Sequence, residues 1–348
     1  MTDSPRRPIP GTPSHKKARL DALASTAAPS GSSGGSAGGS AGGGVATAVS
    51  DAGRVASGEG VSLWMSAWRR LRRDWVFLFG AAIVVLFIVL AVVAPLIAPH
   101  DPATRVLIDQ VNRQTNPVPG PQPGHPLGAD YQGRDVLSRL MVGARQTLIV
   151  GVLATLGGLL GGMTLGTLAG AFGGWVDSVV MRVVDVLLSI PSLLMAFTIA
   201  AMFRSPSQWT VILAIAIVQV PVFARLLRGS MLAQRHSDHV LAARALGVRK
   251  GPIVFRHMLP NAMGPVIVQA TLVLATAIID AAALSFLGLG NPDDRSPEWG
   301  QMLGNAQPYF DSHPHLAVYP ALCIIVVALG FTLVGESLRE SLDPKSRR

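Results

Sequence analysis

One cysteine, Cys323, is all the 348-residue chain contains. That excludes an intrachain disulfide framework, and its place inside an apolar run predicts a packing role. Charge is scarce, with Asp, Glu, Lys and Arg together at 14%, and aromatics reach 6%. No GxxxxGK[ST] loop occurs, so the chain has no visible means of cradling nucleotide phosphates, and the energy for any transport has to come from a partner or an ion gradient. The histidines lack metal spacing. His236 and His239 lie three apart, His313 and His315 two apart, and both pairs read as solvated surface. No Ser/His/Asp or Cys/His arrangement is supported. The expectation is therefore no catalytic residue, no metal and no cofactor held by this chain. Its apolar runs are almost free of carboxylates, which counts against a proton- or sodium-coupled carrier and suggests a neutral path whose solute is selected by another component.

What the chain has in quantity is hydrophobic residues, 49% of the total, gathered in uncharged runs of about 18 residues or more, each close to the length that spans a hydrocarbon core. Six spans are predicted, at 75–99, 147–174, 186–203, 207–224, 262–279 and 316–335. Six such runs are too many for a soluble core, whose helices carry a polar face, so the fold class is an all-α, polytopic membrane protein. The net charge of +9 follows topology rather than nucleic-acid binding. Arg69, Arg70, Arg72 and Arg73 precede the first span, and Arg225, Arg228, Arg235, Arg244, Arg249, Lys250 and Arg256 fill the loop between spans four and five. The loop between spans five and six holds Asp293, Asp294, Glu298 and Asp311 against Arg295 alone. By the positive-inside rule both termini and the basic loop are expected to be cytoplasmic, in an inner-membrane protein.

Residues 1–60 form a segment rich in Gly, Ser, Ala and Pro that cannot bury enough apolar area to offset its ordering entropy, and a disordered cytoplasmic tail is expected there. No apolar core follows its basic start closely, so it does not read as a signal peptide. Over 61–74, Val61, Trp64, Met65, Trp68 and Leu71 recur at helical spacing beside four arginines, predicting a helix lying in the inner-leaflet interface. After the first span, the proline-rich segment 100–146 is expected to be an extracytoplasmic loop. The core then runs over 147–335 with a cytoplasmic loop at 225–261, and 336–348 is a second cytoplasmic tail.

Within the second span Gly158, Gly162, Gly166, Gly170 and Gly174 recur every four residues, leaving one helical face without side chains for a close helix–helix approach. Pro191, Pro221, Pro265 and Pro320 interrupt spans and are expected bending points. Arg182 and Asp185, three apart, are expected to pair. The external loop carries turn-forming Gly128 and Gly133, with Asp130, Arg134 and Asp135 placed to pair and hold the loop as a clamp.

The loop 239–261 reads HVLAARALGVRKGPIVFRHMLPN. Val240 to Leu246 favours a short alanine-rich helix, Gly247 ends it with a reversal, and Pro252 suits the first turn of a second short helix that Pro260 closes. This segment resembles the EAA loop by which permease subunits of ABC importers dock onto their ATPase, with Ala242, Ala243, Gly247, Leu259 and Pro260 in register. Leu241 stands where that family usually has Glu and His257 where it often has Ile, so the acidic contact made from the Glu position is not expected here. The run from His125 to Leu148 and the segments SFLGLGNP, containing Ser285, Phe286, Gly288 and Gly290, and Glu298, Trp299 and Gly300 are similar to the dipeptide, oligopeptide and nickel permeases of the C type. Asp280 sits one position before the acidic residue usual there.

The resemblance, spanning about residues 70 to 340, implies a type I importer permease that pairs with a second permease, two ATPase subunits that bind the ATP, and an extracytoplasmic solute-binding protein in a lipid bilayer. A peptide is the leading solute, with nickel or another small solute as alternatives. An ion-coupled carrier or a non-transporting scaffold are the readings from other classes.

Overall fold

The computed structural model describes residues 68–342 except 113 and 294. The expected tail at 1–60, the interfacial positions Val61, Trp64 and Met65, Asp294 and residues 343–348 lie outside the described residues. Of the interfacial segment, Leu71 is buried and Arg72 lies over the Trp68 ring, 4.9 Å from its centroid. Among the described residues the chain is helical, with isolated β-bridges and no strand.

The helices are α1 (Trp75–Ile97), α2 (Val136–Phe172), α3 (Gly174–Leu188), α4 (Ser192–Ala201), α5 (Gln208–Gln234), α6 (Asp238–Ala245), α7 (Lys250–Phe286), α8 (Trp299–Asn305) and α9 (His315–Leu342). Helices α1, α2, α5, α7 and α9 are each long and apolar enough to cross a membrane. Side-chain contacts set their directions. Gly158, Gly162, Gly166 and Gly170 of α2 meet Gln219, Phe223, Leu227 and Met231 of α5 in ascending order, so α2 and α5 are parallel. Gly80 meets Leu333 while Gly330 meets Ile83, so α1 and α9 are antiparallel.

Parallel α2 and α5 require the chain between them to cross back, and α3 with α4 makes that crossing, bent by 92°. This corrects the third predicted span. Instead of one helix over 186–203, the return is a broken pair that begins at Gly174. The break falls at Pro191, which has no N–H to donate and disfavours helix at Ile190 before it. The second span is also longer than predicted, because α2 begins at Val136, where the Asp135 carboxylate accepts the Ser138 N–H as N-cap.

The remaining prolines break nothing. Pro221, Pro265 and Pro320, and Pro95 in α1, lie inside continuous helices. Pro260 does not close a short helix either, since α7 runs from Lys250 to Phe286 as one 37-residue element. Ile253–Met258 form a π-turn in which the Leu259 N–H reaches back five residues to the Val254 carbonyl. That wider turn takes up a proline, which an ordinary α-helix would not accommodate without kinking.

The glycine face of α2 is an intrachain contact. A Cβ on Gly158 would stand 2.6 Å from the Gln219 Cβ, one on Gly166 2.8 Å from the Ala224 carbonyl oxygen, and one on Gly162 would collide with the Phe223 Cβ. Gly174 is not part of it. It opens α3 with φ +54°, and nothing lies within 4 Å of where its Cβ would be. Nor do Arg182 and Asp185 pair. Arg225 of α5 takes Asp185 at 2.5 Å, because α3 packs across α5 and the two side chains meet there.

Candidate functional site

Two regions carry the residues singled out from sequence, one at each end of the bundle. At the first, α5 leads through Arg235 to Ser237 into α6, which ends in a Schellman motif: the Gly247 N–H bonds to the Arg244 carbonyl at 3.0 Å and the Val248 N–H to the Ala243 carbonyl at 3.1 Å. Gly247 has φ +76°, a region L side chains rarely adopt, while a Cβ there would meet nothing within 4 Å. Glycine is demanded by the backbone alone. Ala243, with Val240 beside it, is buried with Ile253, Val254 and Met258 of α7 against Phe223, Leu227 and Met231 of α5. Between helices, the Asn261 amide Nδ2 lies 3.3 Å from His239 Nε2 and donates to the His257 carbonyl at 2.7 Å. The loop is thus mounted firmly on the ends of α5 and α7.

Its outward surface carries both apolar and basic side chains. Leu241 (46% exposed), Leu246 (84%), Val248 and Phe255 (66%) are exposed, as are Ala242, Pro260, Arg244, Arg249, Lys250 and Arg256. His257 and Leu259 are half-buried at the base. Leu246 and Phe255 were not singled out from sequence, because Leu246 follows the last residue of α6 and Phe255 lies in the π-turn, where helical periodicity does not assign a face. Two ion pairs brace the same end. Arg228 of α5 donates through Nε and Nη2 to Asp177 of α3 at 2.5 and 2.6 Å, beside the more exposed Arg225–Asp185 pair.

The other end is a packed cap. Asp130 accepts from the backbone N–H groups of Gln132 and Arg134 and from Arg134 Nε at 2.7 Å. Gly128 (φ +72°) and Gly133 (φ +73°) turn the chain so closely that added Cβ atoms would stand 2.6 Å from the Pro119 oxygen and 2.5 Å from the Ile108 nitrogen. Asp135, fully buried, accepts from Ser138 N (2.8 Å), Ser138 Oγ (2.6 Å) and His125 Nδ1 (2.9 Å). Burial pushes its carboxyl up, but those hydrogen bonds outweigh it and hold the group below the usual carboxylate range. His100 stacks on His125 with ring centroids 4.3 Å apart. Sequence spacing did not connect these residues.

Trp299, with no exposed surface, donates its indole N–H to the Leu140 carbonyl at 2.9 Å and meets Phe87 edge-on at 5.6 Å. Gly300 lets α8 press on α7, where a Cβ would stand 2.6 Å from the Ala282 Cα. Gly288 (φ +82°) caps α7, and Gly290 packs on Ser285. Phe286 is half-buried beside Gly304. Ser285 Oγ donates to buried Glu298 at 2.8 Å, and burial pushes the Glu298 carboxyl up to about 7, the Ser285 hydrogen bond working against it. Most external-motif residues thus pack or hydrogen-bond within the cap, while Gly288 serves the backbone turn after α7.

Five spanning helices and a broken sixth, with a basic loop fixed at one end and a dense cap at the other, define a polytopic α-helical membrane protein. Residues 162–348 match the family described as binding-protein-dependent transport system inner membrane component, and residues 62–117 match the N-terminal TM domain of oligopeptide transport permease C. The chain belongs to this family of membrane permease components, which are not enzymes. It is 41% identical over 82% of its length to the dipeptide transport system permease protein DppC of Alkalihalophilus pseudofirmus, covering 91% of that protein. It is 38% identical over 81% of its length to the glutathione transport system permease protein GsiD of Pectobacterium atrosepticum, covering 91% of it. Among solved structures it resembles an inward-facing MetNI methionine ABC transporter, with 19% identity, a TM-score of 0.49, and coverage of 59% of this chain and 96% of that one.

Proposed function

We propose that the chain is the permease subunit of an ATP-driven importer of small peptides, placed in the cytoplasmic membrane with a second permease, two ATPase subunits and an extracytoplasmic solute-binding protein. The observation that carries this reading is the outward surface of the basic loop. Leu241, Leu246 and Phe255 expose apolar area on the same loop as exposed Arg244, Arg249, Lys250 and Arg256, above a buried cluster that joins the loop to α5 and α7, and such a patch marks a protein contact. Of the residues that resemble the EAA loop, Ala242, Gly247 and Pro260 are exposed on this loop, while Ala243 and Leu259 pack beneath it. A peptide solute is supported by the dipeptide and glutathione permeases the chain is similar to. Both termini and the basic loop are taken as cytoplasmic on the distribution of Lys and Arg. The exposed Trp75 and Trp175 near one end of the bundle and Trp209 at the other suit the two interfaces.

ATPase closure would move α6 and, through the buried Val240 to Ile253 contact, the ends of α5 and α7, exchanging inward- and outward-open forms of the path. The test is coexpression with the ATPase subunits. Leu246→Asp and Phe255→Asp should abolish ATPase co-purification and uptake of labelled dipeptide while leaving membrane insertion intact. Undiminished co-purification would assign this surface to something else. With Cys323→Ser as background, a cysteine placed at Ser237 should react only with membrane-permeant reagents in intact cells and one at Ser296 with impermeant reagents.

A further inference from the structure

His125 and Asp135 form an ordinary buried pair, but that pair leaves His100 unexplained. His100 follows α1 by three residues and is drawn in by its backbone N–H, which donates to Ser138 Oγ at 3.0 Å. Its Nδ1 is buried 4.0 Å from Asp135 Oδ2 and has no hydrogen-bond partner. Two stacked imidazoles therefore share one carboxylate. The carboxylate satisfies the His125 ring and leaves the His100 Nδ1 without a partner. One ligand-capable atom from each of the three side chains lies within 4.8 Å of the others.

We propose that His100, His125 and Asp135 bind a divalent late first-row metal ion, with Zn2+ the best match. A cation there would use the orphaned His100 nitrogen and replace the proton between His125 and Asp135. Two imidazoles and a carboxylate suit zinc and its neighbours, whereas magnesium and calcium prefer all-oxygen sets. Ser138, through N–H and Oγ, would remain the outer partner that orients the carboxylate. The His100 side chain is 28% exposed, which gives an entry route for the ion. Tetrahedral ligands about 2.0–2.2 Å from zinc stand about 3.3–3.6 Å apart, so the His125–Asp135 pair at 2.9 Å has to open slightly and His100, 4.0 Å from the carboxylate, has to close in. The bound ion would join the end of α1, the loop at His125 and the first residue before α2.

The test uses the full chain purified through a histidine-free affinity tag, stripped with chelator and titrated with Zn2+. The parent should bind one ion per chain with a Kd below about 10 μM and gain thermal stability on binding. His100→Ala should weaken binding by roughly tenfold or more and lose the zinc-dependent gain, while its melting temperature without zinc stays at or above that of the parent. The pairs His236→Ala with His239→Ala, and His313→Ala with His315→Ala, should bind as the parent does. Absence of stoichiometric binding by the parent, or parental affinity in His100→Ala, would overturn the proposal. So would loss of binding in either control pair with retention in His100→Ala.

Discussion

Arg228 grips Asp177 with two parallel hydrogen bonds, 2.5 and 2.6 Å long, and so fastens the first half of the broken span to the helix that follows it. Both groups are partly shielded, and charge-assisted forks of this kind are stronger than single neutral bonds. Arg228→Ala should lower stability by roughly 1.5–3 kcal/mol, read as a fall in melting temperature of the detergent-solubilised chain. Exchanging the two residues, Asp177→Arg with Arg228→Asp, should recover part of that loss. Arg225→Ala should cost less, because the Arg225–Asp185 pair is more than half exposed.

Gly162→Leu with Gly166→Leu should destabilise this chain by itself, before any subunit pairing is considered. Each new side chain would enter the backbone and Cβ atoms of α5 at Phe223 and Ala224, and overpacking costs about 1–3 kcal/mol per site. Loss of the monodisperse peak in size exclusion of the isolated chain is the expected result, with insertion preserved because Leu is apolar. An unchanged profile would contradict the intrachain packing of α2 on α5.

At Gly247 the penalty is purely conformational. Gly247→Val should disrupt the end of α6, whereas Gly247→Asn should be tolerated far better, since asparagine enters the left-handed region several-fold more readily than most residues. ATPase co-purification and uptake check this ordering. Equal activity of the two variants would show that the φ of +76° is not needed for function.

Glu298 gives the cap a pH dependence. Its carboxyl is raised from 4.5 to about 7 by burial, so the folded state holds a proton that the unfolded state releases. The stabilisation is fully present below about pH 4.5 and is lost as pH rises through about 7, by roughly 3 kcal/mol at most on the scale of 1.36 kcal/mol per unit. Thermal melts of the parent should fall over that window, and Glu298→Gln should flatten the curve. An identical pH profile in the variant would place the titration elsewhere.

The membrane class and the long spans were legible because unbroken apolarity needs no knowledge of partners. The α2 face was legible because four glycines repeat. The comparable contact of Gly80 and Gly330 between α1 and α9 was not, since a lone glycine in each helix makes no pattern. Proline was read correctly at Pro191, where the span breaks, and wrongly at Pro260, which lies inside a helix just after a π-turn that local propensity does not announce. The pairing of Asp185 was misread for a similar reason: its neighbour at three residues was visible in sequence, while Arg225, 40 residues away, became a competitor only through the packing of α3 on α5. His100, His125 and Asp135 meet through the fold of an irregular loop, where spacing carries no period.

The passage of α7 through Pro260 without a stop has a mechanical consequence. From Lys250 to Phe286 there is one rod of 37 residues, about 55 Å long at 1.5 Å per residue, and the joint at Gly247 lies beyond its end. Force applied to α6 reaches the rod across the short turn at Gly247 and through the buried packing of Val240 and Ala243 with Ile253 and Val254. A small displacement at the loop would therefore act as torque on the whole lever, with its far end pressed against Trp299 and Gly300.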